Sequence, residues 1–148
     1  MAHDGKVRVL VVDNHPLVRD GLRALVDSQA DLHVVGAAAN AEEAARLVAE
    51  VSADIVLVDI SLPGMGGVKL TEAILASTPT LRVIAVTRHT DQAFVAGMLG
   101  AGASGYVLKQ SRSSELLDAI RAVAAGHRFV DPAVQGPMAP APLPRLRK

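Results

Sequence analysis

Hydrophobic and polar residues alternate in blocks along the chain, and these blocks predict strands that alternate with helices. Short apolar runs rich in β-branched residues are typical of strands buried on both faces. Five such runs predict strands at residues 6–12, 33–37, 55–59, 82–87 and 105–109. The segments after them carry apolar residues at helical spacing, which predicts helices at residues 16–28, 41–52, 67–77, 91–99 and 113–125.

Residues at the predicted helix ends support these boundaries. Pro16 suits the first turn of the first helix, because the N–H that proline lacks would have no helical partner there. Asn40 is placed to cap the second helix, and Glu43 three residues later makes a variant of the capping box. Pro79 follows the third helix, and Gly126 is placed to end the last one.

The order of the elements predicts the fold class. Five βα units within residues 6–130 predict an α/β fold with a parallel sheet and helices on both faces. Right-handed crossovers and a ligand crevice favour the strand order 2-1-3-4-5, a flavodoxin-like doubly wound arrangement. We expect one domain over residues 1–130. Residues 131–148 contain five of the eight prolines, so we expect a linker or disordered tail there rather than a functional basic tail.

Composition narrows the classes of partner. The formal net charge is zero, which argues against nonspecific nucleic-acid binding because that needs an excess of Lys and Arg. The chain has no cysteine, so disulfides and thiolate metal sites are excluded. Its first residues lack the layout of a signal peptide, and no apolar run is long enough to cross a bilayer. We therefore expect a cytoplasmic protein with no membrane partner and no direct nucleic-acid contact in this chain.

Polar residues follow four of the predicted strands at the point where each strand ends. Asp13 and Asn14 follow the first strand, whereas Asp59, Thr87 and Lys109 end the third, fourth and fifth. Ligands of an open parallel sheet bind in the crevice outside the carboxyl ends of its strands. We therefore expect these side chains to converge on one site, although each alone is more often a helix cap, a turn former or a solvated side chain.

The residue types at this edge fit phosphoryl transfer. Two carboxylates at short range, Asp13 and Asp59, repel each other unless a cation intervenes. Mg²⁺ takes carboxylate, amide and carbonyl oxygens, so it suits this set. Lys109 is a point charge that suits a phosphate oxygen, and Thr87 offers a hydroxyl to the same group. A carboxylate also acts as a nucleophile that forms an acyl phosphate.

Four segments of the chain resemble one known family. They are residues 11–19, 59–67, 86–87 and 102–109. Each motif is weak alone, but four in order at strand ends form a strong pattern, and together they resemble the receiver domain of two-component response regulators over residues 6–130. The residues around His15-Pro16 and Gly105-Tyr106 are similar to the NarL/FixJ subfamily, whose receivers are usually joined to a LuxR-type helix-turn-helix domain.

The resemblance implies a role for each matching residue. Asp59 would accept a phosphoryl group from a sensor histidine kinase, and Lys109 would contact that group. Thr87 would swing to bond a phosphoryl oxygen, and Tyr106 would then change rotamer. Tyr106 would lie on the face of helices four and five, which a homodimer or a downstream domain would use. The chain would be no enzyme beyond its own phosphorylation and dephosphorylation, and its context would be transcription control. Mg²⁺ would be held by Asp13, Asn14, Asp59 and the backbone carbonyl of Ser61.

The chain departs from the family pattern at several positions. Asn14 stands where a second acid is usual, which removes one formal charge and predicts weaker Mg²⁺ binding rather than none. Arg88 stands where a small residue is usual, and its side chain would narrow access to the site or engage the phosphoryl group. Leu62 in place of Met is a mild change, and Gly66 replaces Asp in a loop.

Other interpretations stay open from the sequence. A pseudo-receiver would keep the fold as an interaction or dimerisation module without phosphorylation, which Asn14 and Arg88 favour. An enzyme or flavin binder on the same fold is disfavoured, because a second catalytic acid or base is not evident and aromatic residues are few. Tyr106 also fits a half-buried strand aromatic with its hydroxyl in water. His15 and His89 lie near the same edge, but no ligand spacing pairs them as a metal site.

Overall fold

Residues 5–134, which the computed structural model describes, form one parallel sheet with helices on both faces. The strands are β1 (Val7–Val12), β2 (Leu32–Ala38), β3 (Ile55–Val58), β4 (Arg82–Thr87), β5 (Gly105–Leu108) and β6 (Phe129–Val130). The helices are α1 (Pro16–Asp27), α2 (Ala41–Glu50), α3 (Gly66–Ser77), α4 (Gln92–Gly100) and α5 (Ser113–Ala124). The strands lie in the order β2-β1-β3-β4-β5-β6.

The flavodoxin-like fold and the order of the first five strands are confirmed. The Asn40 cap is also observed, because its Oδ1 accepts the Glu43 amide at 2.9 Å. The sixth strand was not predicted. It is two residues long and pairs in parallel with β5, and so short a run has no periodicity that distinguishes a strand from a loop.

Two apolar clusters hold the helices on the sheet. α2, α3 and α4 pack on one face, and α1 and α5 pack on the other. All four residues of β3 are buried, which explains why this strand is uniformly apolar. Leu17 near the start of α1 is 86% exposed, whereas Val26 near its end is fully buried. Within residues 5–134, no helix combines the length and apolar character of a membrane span.

The packed chain continues to Val134, past the domain boundary predicted at residue 130. Asp131 is 2% exposed and accepts hydrogen bonds from the Leu108 amide at 3.0 Å and the Ser111 hydroxyl at 2.6 Å. Val134 is buried at the end of a 3₁₀ turn, and its carbonyl accepts a bond from the Gln92 side chain. Residues 131–134 therefore join the chain after β6 to α4 and to the loop after β5. Residues 135–148 of the predicted tail lie outside the described residues.

Candidate functional site

The carboxyl edge of the sheet carries a cluster of polar side chains. The last residues of β1 and β3 pair with each other, which puts Asp13 beside Asp59. The Lys109 amide donates to the Thr87 carbonyl at 2.8 Å, so β4 and β5 also end side by side. Because β3 and β4 are neighbours, the structure brings these four residues to one edge of the sheet.

Lys109 bridges the two acidic side chains. Its Nζ lies 2.7 Å from Asp13 Oδ2 and 3.0 Å from Asp59 Oδ2. Asp13 is 1% exposed and Asp59 is 3% exposed, so bulk water does not solvate the negative charge of either carboxylate. Asp13 Oδ2 receives no well-directed hydrogen bond within residues 5–134, so its contact with Lys109 is mainly electrostatic. One ammonium group thus serves two carboxylates, and the edge keeps an excess of negative charge that favours a further cation.

The other oxygen of Asp13 faces the turn into α1. Asp13 Oδ1 accepts the His15 amide at 2.9 Å, and His15 Nδ1 lies 3.2 Å from the same oxygen. The ligand atoms of Asp13, His15 and Asp59 lie within 4.8 Å of one another. The structure thus groups His15 with the two carboxylates and not with His89. The two carboxylates come from different strands, so no spacing along the sequence reveals this group.

Asn14 adds an oxygen directly after Asp13. Its Oδ1 is buried, and no donor within residues 5–134 forms a hydrogen bond with it. A buried oxygen without a donor is unfavourable unless water or a cation binds it. Carboxylate and amide oxygens are ligands of Mg²⁺, whereas an imidazole nitrogen suits transition ions. The donor atoms present at this edge therefore fit a divalent cation.

The loop after β3 holds Asp59 in position. The Ser61 amide donates to Asp59 Oδ1 at 3.1 Å. Gly64 and Gly66 have φ angles of 77° and 82°, a left-handed conformation that residues with a side chain rarely adopt. Gly67 is required for a different reason, because a Cβ at this position would lie 2.6 Å from the Asp59 carbonyl oxygen. α3 therefore starts directly against the backbone of Asp59.

The loop after β4 connects Tyr106 with the polar edge. The Tyr106 hydroxyl donates to the His89 carbonyl at 2.7 Å, and His89 Nε2 lies 2.6 Å from Ser61 Oγ. The His89 amide lies 3.4 Å from Thr87 Oγ1, a long contact. The sequence places His89 near this edge but does not reveal its contact with Ser61, because the two residues are 28 positions apart and no motif joins them.

Tyr106 is fully buried, so the interpretation of a half-buried aromatic with its hydroxyl in water was wrong. The hydroxyl finds its partner in the protein, and β6 pairs with the backbone of β5 at this residue. Burial raises the pKa of Tyr106 to about 12, and the negative charges of Asp91 and Asp59 add to the rise. The neutral phenol is therefore the form that this environment favours.

Leu62 and Arg88, two positions that depart from the family pattern, differ in their exposure to solvent. Leu62 is 5% exposed and packs in the core, which fits its place as a substitute for another apolar residue. Arg88 is exposed, although Thr87 beside it is fully buried. The Arg88 side chain is therefore open to solvent next to the polar edge.

Comparison with known proteins identifies the family. The model of the response regulator receiver domain matches residues 9–121. This chain belongs to the response regulator receiver domain family. Response regulator GacA from Pseudomonas viridiflava is 41% identical over 128 residues, which cover 86% of this chain and 60% of GacA. The chain thus spans about 60% of the length of the curated relatives it matches first.

Solved structures place the chain within the same family. A two-component response regulator of the LuxR family from Aurantimonas sp. SI85-9A1 has a TM-score of 0.84 and 42% identity, covering 87% of this chain and 92% of that chain. The isolated receiver domain of RcsB from Salmonella enterica serovar Typhimurium, solved in the presence of phosphomimetic BeF₃⁻, has a TM-score of 0.82 and 26% identity. That match covers 88% of this chain and 96% of the RcsB chain. The resemblance to LuxR-type regulators is confirmed.

Proposed function

We propose that this receiver is a phospho-acceptor and that Asp59 takes a phosphoryl group from a sensor histidine kinase. The observation that carries the proposal is the position of Lys109 Nζ, 3.0 Å from Asp59 Oδ2 and 2.7 Å from Asp13 Oδ2. An ammonium group at this point neutralises charge on a phosphoryl group joined to Asp59. Receiver domains are signalling domains, and the reactions that we assign to this chain are its own phosphorylation and dephosphorylation.

The transfer step needs a nucleophilic oxygen on Asp59. A carboxylate oxygen attacks phosphorus and forms an O–P bond while the P–N bond of the donor phosphohistidine breaks. The electron pair of the broken bond stays on the imidazole nitrogen of the kinase. The Ser61 amide on Oδ1 and Lys109 on Oδ2 hold the carboxylate, which reduces the entropic cost of reaching the reacting geometry.

A divalent cation completes the charge balance of this proposal. Bound Mg²⁺ would neutralise charge on the phosphoryl oxygens during transfer. Asp13, Asn14, Asp59 and the backbone carbonyl of Ser61 are the residues that we assign to it. Asn14 offers an amide oxygen in place of a carboxylate, so Mg²⁺ binding is weakened rather than abolished.

Phosphorylation would shift a two-state equilibrium of the face formed by α4, β5 and α5. Thr87 would move towards the phosphoryl group, and Tyr106 would respond through the loop whose His89 carbonyl accepts its hydroxyl. A homodimer or a downstream DNA-binding domain would use this face. The similarity to a LuxR-family regulator supports transcription control, and the RcsB receiver solved with a phosphomimetic supports phosphorylation as the input.

Intact-mass analysis after incubation with Mg²⁺ and acetyl phosphate tests the proposal. We expect one added phosphoryl group on the wild-type chain and none on Asp59→Asn. Asp54→Asn is the matched control, because Asp54 directly precedes β3 and accepts the Arg8 amide at the other end of that strand. This control should be labelled like the wild type.

The same experiment distinguishes the alternative function. If the wild-type chain gains no phosphoryl group from acetyl phosphate, from phosphoramidate or from a phosphorylated histidine kinase at any Mg²⁺ concentration, the proposal is contradicted. The result would then favour a pseudo-receiver that binds partners without phosphorylation. The amide of Asn14 and the exposed side chain of Arg88 are the features that support this alternative.

A further inference from the structure

His15 lies beside two of the residues that we assign to Mg²⁺, Asp13 and Asp59. Its role as a further ligand rests on the proposed function. His15 Nδ1 lies 3.2 Å from Asp13 Oδ1, and a ligand atom of Asp59 lies within 4.8 Å of both. The His15 amide donates to the same Asp13 oxygen at 2.9 Å. This second bond fixes the turn before α1 and keeps the imidazole next to the carboxylate.

These distances fit two ligands of one ion. In octahedral coordination, ligand atoms about 2.1 Å from the ion and at right angles to each other lie about 3.0 Å apart. The observed separation of 3.2 Å between His15 Nδ1 and Asp13 Oδ1 is close to that value. A neutral imidazole with its proton on Nε2 presents a lone pair at Nδ1. The ring is 61% exposed, so solvent can bond Nε2 while Nδ1 binds the ion.

The chemistry of the donor atoms selects the class of ion. Mg²⁺ prefers oxygen ligands, and Asn14 removes one negative charge from its site. An imidazole nitrogen binds divalent first-row transition ions more strongly than it binds Mg²⁺. We propose that His15 is a metal ligand of this receiver, and that the site of Asp13, His15 and Asp59 prefers a first-row transition ion to Mg²⁺. Mn²⁺ is the weakest binder of that series and therefore the most stringent probe.

Pulsed electron paramagnetic resonance of bound Mn²⁺ tests this proposal, because it detects a coordinated ¹⁴N nucleus. The experiment uses the whole chain with Mn²⁺ alone and no phosphoryl donor. We expect nitrogen modulation in the wild type and its loss in His15→Ala. His33→Ala is the matched control, since His33 is also exposed beside a carboxylate, with Nδ1 3.6 Å from Asp27 Oδ1. This control should keep the full nitrogen signal.

Titration calorimetry provides a second readout. We expect His15→Ala to weaken Mn²⁺ binding at least about tenfold and to leave Mg²⁺ binding unchanged, because loss of a ligand should cost no less than loss of the groups that orient ligands, which is about 10–100-fold. His33→Ala should change neither affinity. Wild-type chain that binds Mg²⁺ at least as tightly as Mn²⁺, or that binds Mn²⁺ without nitrogen modulation, would overturn the proposal.

The metal measurements and the phosphorylation test fail independently. A chain that binds Mn²⁺ through His15 but accepts no phosphoryl group contradicts only the proposed function. A chain that is phosphorylated with Mg²⁺ but shows no Mn²⁺–nitrogen coupling contradicts only the role of His15.

Discussion

At the scale of single residues, we expect Asn14 to weaken the proposed Mg²⁺ site. Asn14→Asp adds a negative charge directly after Asp13, next to the buried acidic pair. We predict that the Kd of Mg²⁺ falls about tenfold. At an effective dielectric constant of about 20, the attraction between the new carboxylate and the ion is several kcal/mol before desolvation is subtracted. A net gain of about 1.4 kcal/mol in binding free energy is enough for a factor of ten. Titration calorimetry with Mg²⁺ measures this change.

Asn40→Asp is the control for this substitution. Asn40 Oδ1 caps α2 by accepting the Glu43 amide, and an aspartate keeps that cap. The same amide-to-carboxylate change should therefore leave the Mg²⁺ affinity unaltered at this position. An Asn14→Asp variant with the wild-type Kd would show that Asn14 is not a ligand.

Tyr106 gives a second prediction at the residue scale, because it is the single tyrosine of the chain. Its pKa is raised to about 12 by burial, with a further contribution from Asp91 and Asp59. Because folding raises this pKa, the neutral phenol stabilises the folded state. The stabilisation is complete below about pH 10, the ordinary pKa of tyrosine, and is lost as the pH rises towards about 12, the pKa in the folded protein. An absorbance titration of the folded protein should show a midpoint near that value.

The stability measurement completes the prediction for Tyr106. Urea unfolding should show that the wild type loses stability as the pH rises through this window, and Tyr106→Phe should lack this part of the pH dependence. If the phenol of the folded protein titrates near 10, its ordinary value, the burial of Tyr106 is contradicted.

At the scale of elements, the contact between α3 and the end of β3 depends on Gly67. A Cβ at this position would lie 2.6 Å from the Asp59 carbonyl oxygen and 2.7 Å from Ile60 Cα. Both are backbone atoms, so no side-chain rotation relieves the clash. We predict that Gly67→Ala lowers the free energy of unfolding by about 1–3 kcal/mol and slows phosphorylation of Asp59, because the loop that holds it must shift. Urea unfolding and the intact-mass assay measure these two effects.

Gly21→Ala is the matched control in another helix. Gly21 lies within α1, and nothing lies within 4 Å of the position that its Cβ would take. We predict a gain of up to about 1 kcal/mol, because alanine forms helices better than glycine. Equal destabilisation by the two substitutions would contradict the steric explanation.

At the scale of the whole molecule, the predictable part of the fold is the part that local pattern and chain order determine. β3 is buried along its whole length and appears in the sequence as an apolar run that ends at Asp59. Right-handed crossovers and a ligand crevice favour the observed strand order but do not determine it, because other doubly wound sheets have the same handedness. Because the strands are parallel, the four polar strand ends could be placed at one edge before any contact between them was known.

The features that the sequence did not reveal depend on contacts between distant segments. Asp131 reaches the Leu108 amide 23 positions away, and His89 reaches Ser61 across 28 positions. β6 is too short to show a period, although it extends the sheet beside Tyr106. A regular repeat identifies elements, whereas single side chains that join separate loops leave no such repeat in the sequence.

We propose that the strand ends together form one phosphoryl-accepting site, with Asp59 as the acceptor. Borohydride reduces an aspartyl phosphate to homoserine with release of phosphate, so peptide mass mapping after reduction locates the acceptor residue. We predict conversion at Asp59 and none at Asp13, the buried neighbour that shares Lys109 with it. Conversion at Asp13, or at neither residue in a chain that has gained a phosphoryl group, would contradict this assignment.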